Sequence, residues 1–461
     1  MENKREERLG TEKILKLMLT MGLPSLVAQL INLLYNIVDR SYIGHITGVG
    51  AAALTGVGLS LPIIVIVTAF SAFVGGGGAP LAAIALGRGD RERAEKILGN
   101  GVTTLLFLSI SLMVVFFFIK EPFLYLVGAS HATFPYANDY ISIYLCGTVF
   151  VQITVGLNTF ITAQGNSKTA MLSVLIGAVI NIILDPIFIF VCGMGVKGAA
   201  LATVISQGCS AAWVIRFLTS SKASLRIRRK YLRPEWKIVS GTAALGISPF
   251  IMQATEALIS VTMNSGLSRY GGDMYVGTLT IMQSVMQFVS VPANGFSQGV
   301  QPIMSYNYGA GNIDRVKETF RKLFLFTETV SGLIALSAIL FPTVFGRLFT
   351  NDENLLAMVG RVMPVFMAGM VIFGVQMTCQ STFMALGQAK ISLFVAMLRK
   401  VILLAPLAFF LPRITNSAMS IYYAEPISDF TSVTVCSLLF LLNFKKILSN
   451  GEKKKIEKNP V

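Results

Sequence analysis

Gly22-Leu-Pro-Ser-Leu-Val-Ala-Gln29 returns farther along the chain as Gly246-Ile-Ser-Pro-Phe-Ile-Met-Gln253. Leu86-Gly-Arg-Gly-Asp-Arg-Glu-Arg93 returns as Tyr308-Gly-Ala-Gly-Asn-Ile-Asp-Arg315, and Gln164-Gly-Asn-Ser-Lys168 as Leu386-Gly-Gln-Ala-Lys390. The three echoes are 224, 222 and 222 residues apart, so the register barely drifts over nearly half of the 461 residues. A doubled hydrophobic unit marks many secondary transporters, whose sites lie between or within the repeats.

The residues between the echoes are those of a membrane protein. Hydrophobic residues make up 54% of the chain and charged residues 13%, with a mean hydropathy of +0.68. A soluble domain carries about 25% charged residues. A spanning helix needs roughly 20 mostly apolar residues, and reading from turn to turn predicts twelve. The expected spans are 17–43, 53–80, 97–119, 137–162, 169–191, 197–218, 241–268, 276–304, 320–343, 361–384, 391–411 and 418–443. Short alternating segments of the β-barrel kind are missing, and the charged start Met1–Gly10 leads into a full-length apolar segment without a cleavage site. The expected fold is an all-α integral membrane protein, with twelve transmembrane helices in two parallel six-helix repeats.

That reading divides the chain into an amino-terminal segment (1–16), a first lobe (17–218), a basic linker (219–240), a second lobe (241–443) and a basic tail (444–461). The net charge of +15 is unevenly placed. One face receives Lys4, Arg5, Arg8 and the Arg88–Lys96 loop, with Lys222–Lys237, Arg315–Lys322 and Lys445–Lys458. The other holds scattered Lys120, Lys197, Arg269 and Arg413. This positive-inside bias predicts a multi-pass protein of the cell membrane with both termini cytoplasmic. Basic loops facing anionic lipid call for membrane lipids as partners and no nucleic acid. The five dispersed cysteines read as small buried hydrophobes, and His45 and His131 belong to no ligand-like cluster.

Polar residues inside the spans are costly, about 2.5–3.5 kcal/mol for a charge on insertion scales, and ask for a function. Gln29, Asn32, Asn36 and Asp39 recur at spacings of three and four and so share one face of the first helix. Gln253, Glu256, Ser260 and Asn264 form the counterpart in the seventh. The repeat aligns Asn32 with Glu256 and Asp39 with Met263, so the acid changes place between the halves. Asn181 and Asp185 stack one turn apart in the fifth helix, while Val401–Pro406 in the eleventh has no acid. At about 1.5 Å per residue, Asp39 lies about 8 Å below Gly44 and Asp185 about 12 Å below Gly193, with Thr203 at a similar depth. Oxygen ligands of this kind suit a proton or a small hard cation such as sodium, and two nearby carboxylates tend to share a proton. The alternative is a buried polar network that only ties helices together, for which paired carboxylates are a poor choice.

A polar stripe, Gln283, Gln287, Ser290, Asn294 and Gln298, runs along the eighth helix. Fourteen of 20 methionines lie beyond residue 226, among them Met252, Met263, Met282, Met286, Met367, Met370 and Met377. Flexible methionines suit a cavity for apolar ligands of varied shape, although filling a core is their commoner use. Glu425 and Asp429 form another intramembrane pair, and Arg399 and Lys400 lie within the eleventh span, where either snorkelling or pairing with such acids is expected.

The chain resembles the multidrug and toxic compound extrusion (MATE) transporters over about residues 14–445. The resemblance rests on Val38-Asp-Arg-Ser-Tyr-Ile-Gly44, Gly87–Asp90, Thr162-Ala-Gln-Gly-Asn-Ser-Lys168, Asn181–Pro186, Gly195–Ala200 and Pro302–Gly311 with its Tyr-Asn-Tyr-Gly-Ala-Gly. It implies two six-helix lobes forming a V, and export of small amphipathic organic cations against inward proton or sodium flow, without an enzymatic step or a cofactor. It implies a cation site at Asp39, Asn181, Asp185 and Thr203, supported by Tyr140 and Asn158. One branch of the family has a second cation site that pairs a seventh-helix glutamate, matching Glu256, with a tenth-helix aspartate. Here the tenth helix offers Gln376 and Gln380 instead. Glu256 is therefore assigned to substrate, with Gln29, Asn32, Asn36, Gln253, Met263, Gln283, Met286 and Gln287. The string Glu425-Pro-Ile-Ser-Asp429 is similar to the MepA-type bacterial branch, and the protein is expected to work as a monomer. A flippase for lipid-linked sugars on the same doubled scaffold is the alternative, although it calls for a strongly cationic cavity to which only Arg399 and Lys400 point. A channel or intramembrane enzyme would need a filter-like repeat, a metal-ligand cluster or a nucleophile–base pair.

Overall fold

The structure is a computed structural model that describes residues 3–456. Residues 1–2 and 457–461, among them Lys458 of the basic tail, lie outside the described residues. The first half is built from α1 (Ile14–Gly44), α2 (Gly50–Gly87), α3 (Arg91–Val127), α4 (Phe134–Cys146), α5 (Thr148–Ala163), α6 (Ser167–Pro186) and α7 (Val196–Thr219). The second half repeats the order with α8 (Trp236–Gly271), α9 (Asp273–Gly309), α10 (Ile313–Leu340), α11 (Glu353–Phe366), α12 (Phe373–Ala385), α13 (Ala389–Met397), α14 (Ala405–Thr415) and α15 (Met419–Ile456). The fifth span continues from α6 as a π-helical turn, Ile187–Val191, and the eleventh joins α13 to α14 through another, Leu398–Leu404.

Among the described residues, ten helices are long and apolar enough to cross a membrane, and two bent pairs bring the number of spans to twelve. The fourth and tenth spans, expected to be single helices, are broken. The axis turns by 60° between α4 and α5 and by 42° between α11 and the stretch Gly369–Ala385. The breaks fall at Gly147 and around Gly369, which the 222-residue repeat superposes. Hydropathy integrates over a window and does not register a bend within it.

The motif glycines have a local cause. Gly89 and Gly311 adopt φ of 71° and 70°, and Gly165 and Gly387 adopt 83° and 70°. In each case a helix ends on a left-handed residue that glycine takes without steric cost. The next residue, Asp90, Asn312, Asn166 or Gln388, takes the N-cap position of the following helix. The Asp90 carboxylate accepts the Arg93 N–H at 3.0 Å, as an N-cap should. The second and third echoes are therefore recurrent helix–turn–helix corners, whereas the first lies within α1 and α8.

The chain folds into two compact units, and the division between them falls inside helices. One unit comprises Val27–Phe250 with the segment up to Thr11, and the other Glu12–Leu26 with Ile251 onward. Helix α1 thus gives its first half to the second unit, and α8 its first half to the first unit. In the first unit, Ile43, Ile63, Leu112, Phe116 and Leu145 belong to the core, and in the second Leu279, Val285, Phe366 and Tyr422. Large apolar side chains such as Phe107, Phe118, Leu126, Leu441 and Leu442 are exposed. Lipid satisfies such surfaces, and a helix leaves no backbone group unpaired within it. Cys379 and Cys436 are buried as expected, whereas Cys146 and Cys192 lie at the surface, where a thiol is equally compatible with lipid.

The basic segment after α7 is held to the first unit. Asn100 Oδ1 accepts the Glu235 N–H at 2.6 Å, Thr103 Oγ1 donates to the Leu232 carbonyl at 2.6 Å, and Gln164 Oε1 accepts the Leu225 N–H at 3.0 Å. Arg228 Nε donates to Glu95 Oε2 at 2.6 Å.

Candidate functional site

In the first unit, α1, α4, α6 and α7 bring four of the expected cation-site residues together with Tyr140. Asp39, Tyr140, Asn181, Asp185 and Thr203 are all buried. Asn181 Nδ2 donates to Asp185 Oδ1 at 3.2 Å and to Thr203 Oγ1 at 3.5 Å, and Thr203 Oγ1 donates to the Ala199 carbonyl at 3.0 Å. The Asp39 and Asp185 carboxyl groups lie within hydrogen-bonding reach of each other, and Tyr140 within reach of Thr203. Asp185 sits at the end of α6, just before the π-helical turn. Such turns are frequent at functional sites.

Three oxygens of this group are left over. Asp39 Oδ1, Asn181 Oδ1 and Asp185 Oδ2 are buried and receive no hydrogen bond. A buried acceptor without a donor costs about 1–3 kcal/mol. Three at one place make a cradle that a proton or a small hard cation would satisfy.

Two residues missed in the sequence complete the surroundings. Tyr35, one turn before Asp39 on α1, lies within electrostatic reach of both carboxyl groups. Tyr144 stacks on Tyr140 with ring centroids 6.4 Å apart. The three-and-four spacing that selected Asn32, Asn36 and Asp39 passes through Tyr35 and could have found it. Asn158, in contrast, is not part of the cluster. Its amide donates to the Ala170 carbonyl at 3.2 Å and its oxygen accepts from Ser173 at 3.1 Å. Ala170 lies eleven residues before Asn181 on the same helix, about 16 Å away. Asn158 ties α5 to α6.

The residues expected to meet substrate are divided between the units. Gln29, Asn32 and Asn36 belong to the first, where Asn36 Nδ2 donates to the Asn32 carbonyl at 2.6 Å. Gln253, Glu256, Met263, Gln283, Met286 and Gln287 belong to the second. Gln253, Glu256 and Gln287 are exposed and Gln283 and Met286 half-buried. Met263 is in the packed core with Met282, Met367 and Met370. These four fill volume in the protein interior, the commoner use of a flexible thioether. Only Met252 and Met377 of the seven border the small cavity of about 30 Å3 between α8, α12 and the eleventh span.

The charged residues without an assignment are found paired. Arg399 Nε donates to Asp429 Oδ1 at 2.6 Å and Arg399 Nη2 to Glu425 Oε1 at 3.0 Å. Lys400 bonds Glu256 and also donates to the Met252 carbonyl at 3.2 Å. Glu256 therefore meets a lysine here, with Gln376 and Gln380 bordering the adjoining cavity.

Known proteins agree with this architecture. The MatE family model matches residues 24–187 and again 249–410, once for each repeat. The multidrug export protein MepA of Staphylococcus haemolyticus (strain JCSC1435) is 24% identical over 425 residues, 92% of this chain and 93% of its own length. MepA of Staphylococcus aureus (strain N315) is 23% identical over 429 residues, 92% of this chain and 94% of its own. A crystal structure of a MATE in the bent conformation superposes with a TM-score of 0.87 at 20% identity, over 97% of this chain and 99% of that one. A MOP superfamily transporter from Pyrococcus furiosus superposes with a TM-score of 0.86 at 20% identity, over 95% and 98%. With the family model covering both halves of a twelve-span doubled scaffold, this chain belongs to the MATE family of transporters.

Proposed function

We propose that the protein exports small amphipathic organic cations across the cell membrane, driven by inward flow of a coupling ion through the Asp39–Asn181–Asp185–Thr203 cluster. The export of drugs is carried over from the MepA relatives. The observation that carries the coupling role is the trio of orphaned buried oxygens on Asp39, Asn181 and Asp185. A proton is the first choice of ion, because two buried carboxyl groups within hydrogen-bonding reach of each other are compatible when one is protonated. Sodium is the second reading, supported by an amide and a hydroxyl oxygen beside the carboxylates.

In this reading the ion enters from outside and neutralises the cluster. Asp39 is on α1, a helix whose first half belongs to the other unit. A shift of α1 on ion binding therefore acts on both units through one continuous helix, without a separate linkage. Glu256, exposed on α8, attracts the organic cation. An alternating-access cycle exchanges one for the other, since each ligand stabilises the state that binds it better. The basic loops support a cytoplasmic position for both termini. A sugar-lipid flippase is less well supported, because Arg399 and Lys400 are engaged by three acids and offer no free cationic surface to pyrophosphate.

Ethidium efflux from proteoliposomes under an imposed proton gradient, then under an imposed sodium gradient, tests the reading. Efflux that follows one gradient names the ion. Efflux that ignores both would remove ion coupling from this protein.

A further inference from the structure

Five ionisable side chains gather in the second unit, and their partners are unequal. Arg399 sits between two acids, Glu425 and Asp429, and packs over the Phe373 ring at 5.0 Å. The Ser428 hydroxyl donates to the Arg399 backbone carbonyl at 2.7 Å and holds that turn against α15. Arg399 is an anchored group: its planar fork is engaged at two nitrogens, the use for which guanidinium is suited.

Lys400, the next residue, points away from α15. It lies on the π-helical turn Leu398–Leu404, and its partners are the Glu256 carboxylate and the Met252 carbonyl, both on α8. The Lys400 side chain is 9% exposed, whereas that of Glu256 is 60% exposed. One carboxylate is thus held from the protein side by a buried ammonium while its other side stays open. An ammonium on a flexible stem is a mobile point charge, unlike a guanidinium fork. Beside it lies the cavity of about 30 Å3 bordered by Gln376, Gln380 and Phe373. That volume is right for a displaced ammonium or a water and far too small for a drug. The other charged groups facing Lys400 are Arg399 on its own turn and Glu425 and Asp429 on α15, which lie within electrostatic reach.

We propose that Lys400 is a tethered counter-ion of Glu256 that the transported organic cation displaces. With no substrate bound, the ammonium neutralises Glu256. An arriving cation pairs with the open side of that carboxylate, and Lys400 withdraws toward Glu425 and the polar wall of the cavity. Return of Lys400 to Glu256 expels the cation, so the site never holds its cargo with the full strength of an unopposed carboxylate. This inference rests on the export of organic cations proposed above.

Ethidium binding to the purified full-length protein in lipid nanodiscs, read by fluorescence, tests it. Lys400→Met and Lys400→Gln should each bind ethidium about tenfold more tightly than the wild type, because the internal competitor is gone. Both should fold, since the carboxylate left behind is the exposed one and can be hydrated. Glu256→Gln should weaken binding, and adding Lys400→Met to it should restore nothing. Unchanged or weaker binding in both Lys400 variants, with the wild type binding normally, overturns the counter-ion role alone. A wild type that binds no ethidium overturns it together with the export reading.

Discussion

Gly77 on α2 and Gly246 on α8 pack so closely that a Cβ on Gly77 would come within 2.7 Å of the Gly246 nitrogen. The repeat carries Gly22 onto Gly246 and Gly77 onto Gly299, and the second unit shows the same close approach. A Cβ on Gly299 would lie 2.8 Å from the Gly22 Cα. These paired approaches are what let α1 and α8 each pack their first halves onto a helix of the opposite repeat. Gly77→Val and Gly299→Val should each destabilise the protein by about 1–3 kcal/mol or more, the usual cost of overpacking. Gly58→Ala, where a Cβ meets nothing within 4 Å, is the control. Thermal unfolding of the purified variants distinguishes them; equal midpoints for Gly77→Val and Gly58→Ala would count against the close approach.

Asp185→Asn keeps the shape of the side chain and removes its charge. Gradient-driven ethidium efflux should fall at least about tenfold, the equivalent of losing about 1.4 kcal/mol of coupling, while ethidium binding and the melting midpoint stay near wild type. Asp39→Asn should behave alike, because in the proposed function the two carboxyl groups share one ion. Undiminished efflux in either variant would remove that residue from the coupling site.

Asn158→Ala separates a tie between helices from an ion ligand. Two half-buried hydrogen bonds, to Ala170 and Ser173, are lost, at about 1–2 kcal/mol in total. Stability should fall by that amount while efflux per folded molecule keeps its dependence on the gradient. A change in ion dependence would return Asn158 to the cation site.

Removing the Arg399 guanidinium strands Glu425 and Asp429, both of them buried. Arg399→Met should destabilise by about 3–5 kcal/mol, the range for breaking a buried ion pair from one side. The combined variant Arg399→Met, Glu425→Gln, Asp429→Asn should recover much of that loss, because no uncompensated charge remains. A mild single variant, or a triple variant no better than the single, would show that the cluster is hydrated.

The legible part of the site was its polar side chains inside apolar spans, Asp39, Asn181, Asp185 and Thr203, at similar depths on three helices. Asn181 and Asp185 are one turn apart, so their hydrogen bond follows from spacing. Helical spacing likewise passed through Tyr35, although polarity alone did not select it. Asn158 was misplaced because a resemblance transfers a position and not its neighbours; here the neighbours are a carbonyl and a hydroxyl at the far end of α6. Met263 was misplaced for a related reason. A methionine bordering a cavity and one filling a core have the same sequence, and only packing tells them apart.

By itself the sequence determined the doubled twelve-span scaffold, because hydropathy and the recurrence of capping glycines are local properties of the chain. It also determined that acids lie within the membrane, since a charge in an apolar run is visible without coordinates. The depth of Asp39 and Asp185 already brought those two acids to one site, whereas tertiary structure alone decided that Glu256 meets Lys400 across 144 residues. It also decided that the compact units divide inside α1 and α8. Partner choice depends on how helices rotate and approach one another. Close approaches such as that of Gly77 to Gly246 likewise join positions far apart in the chain.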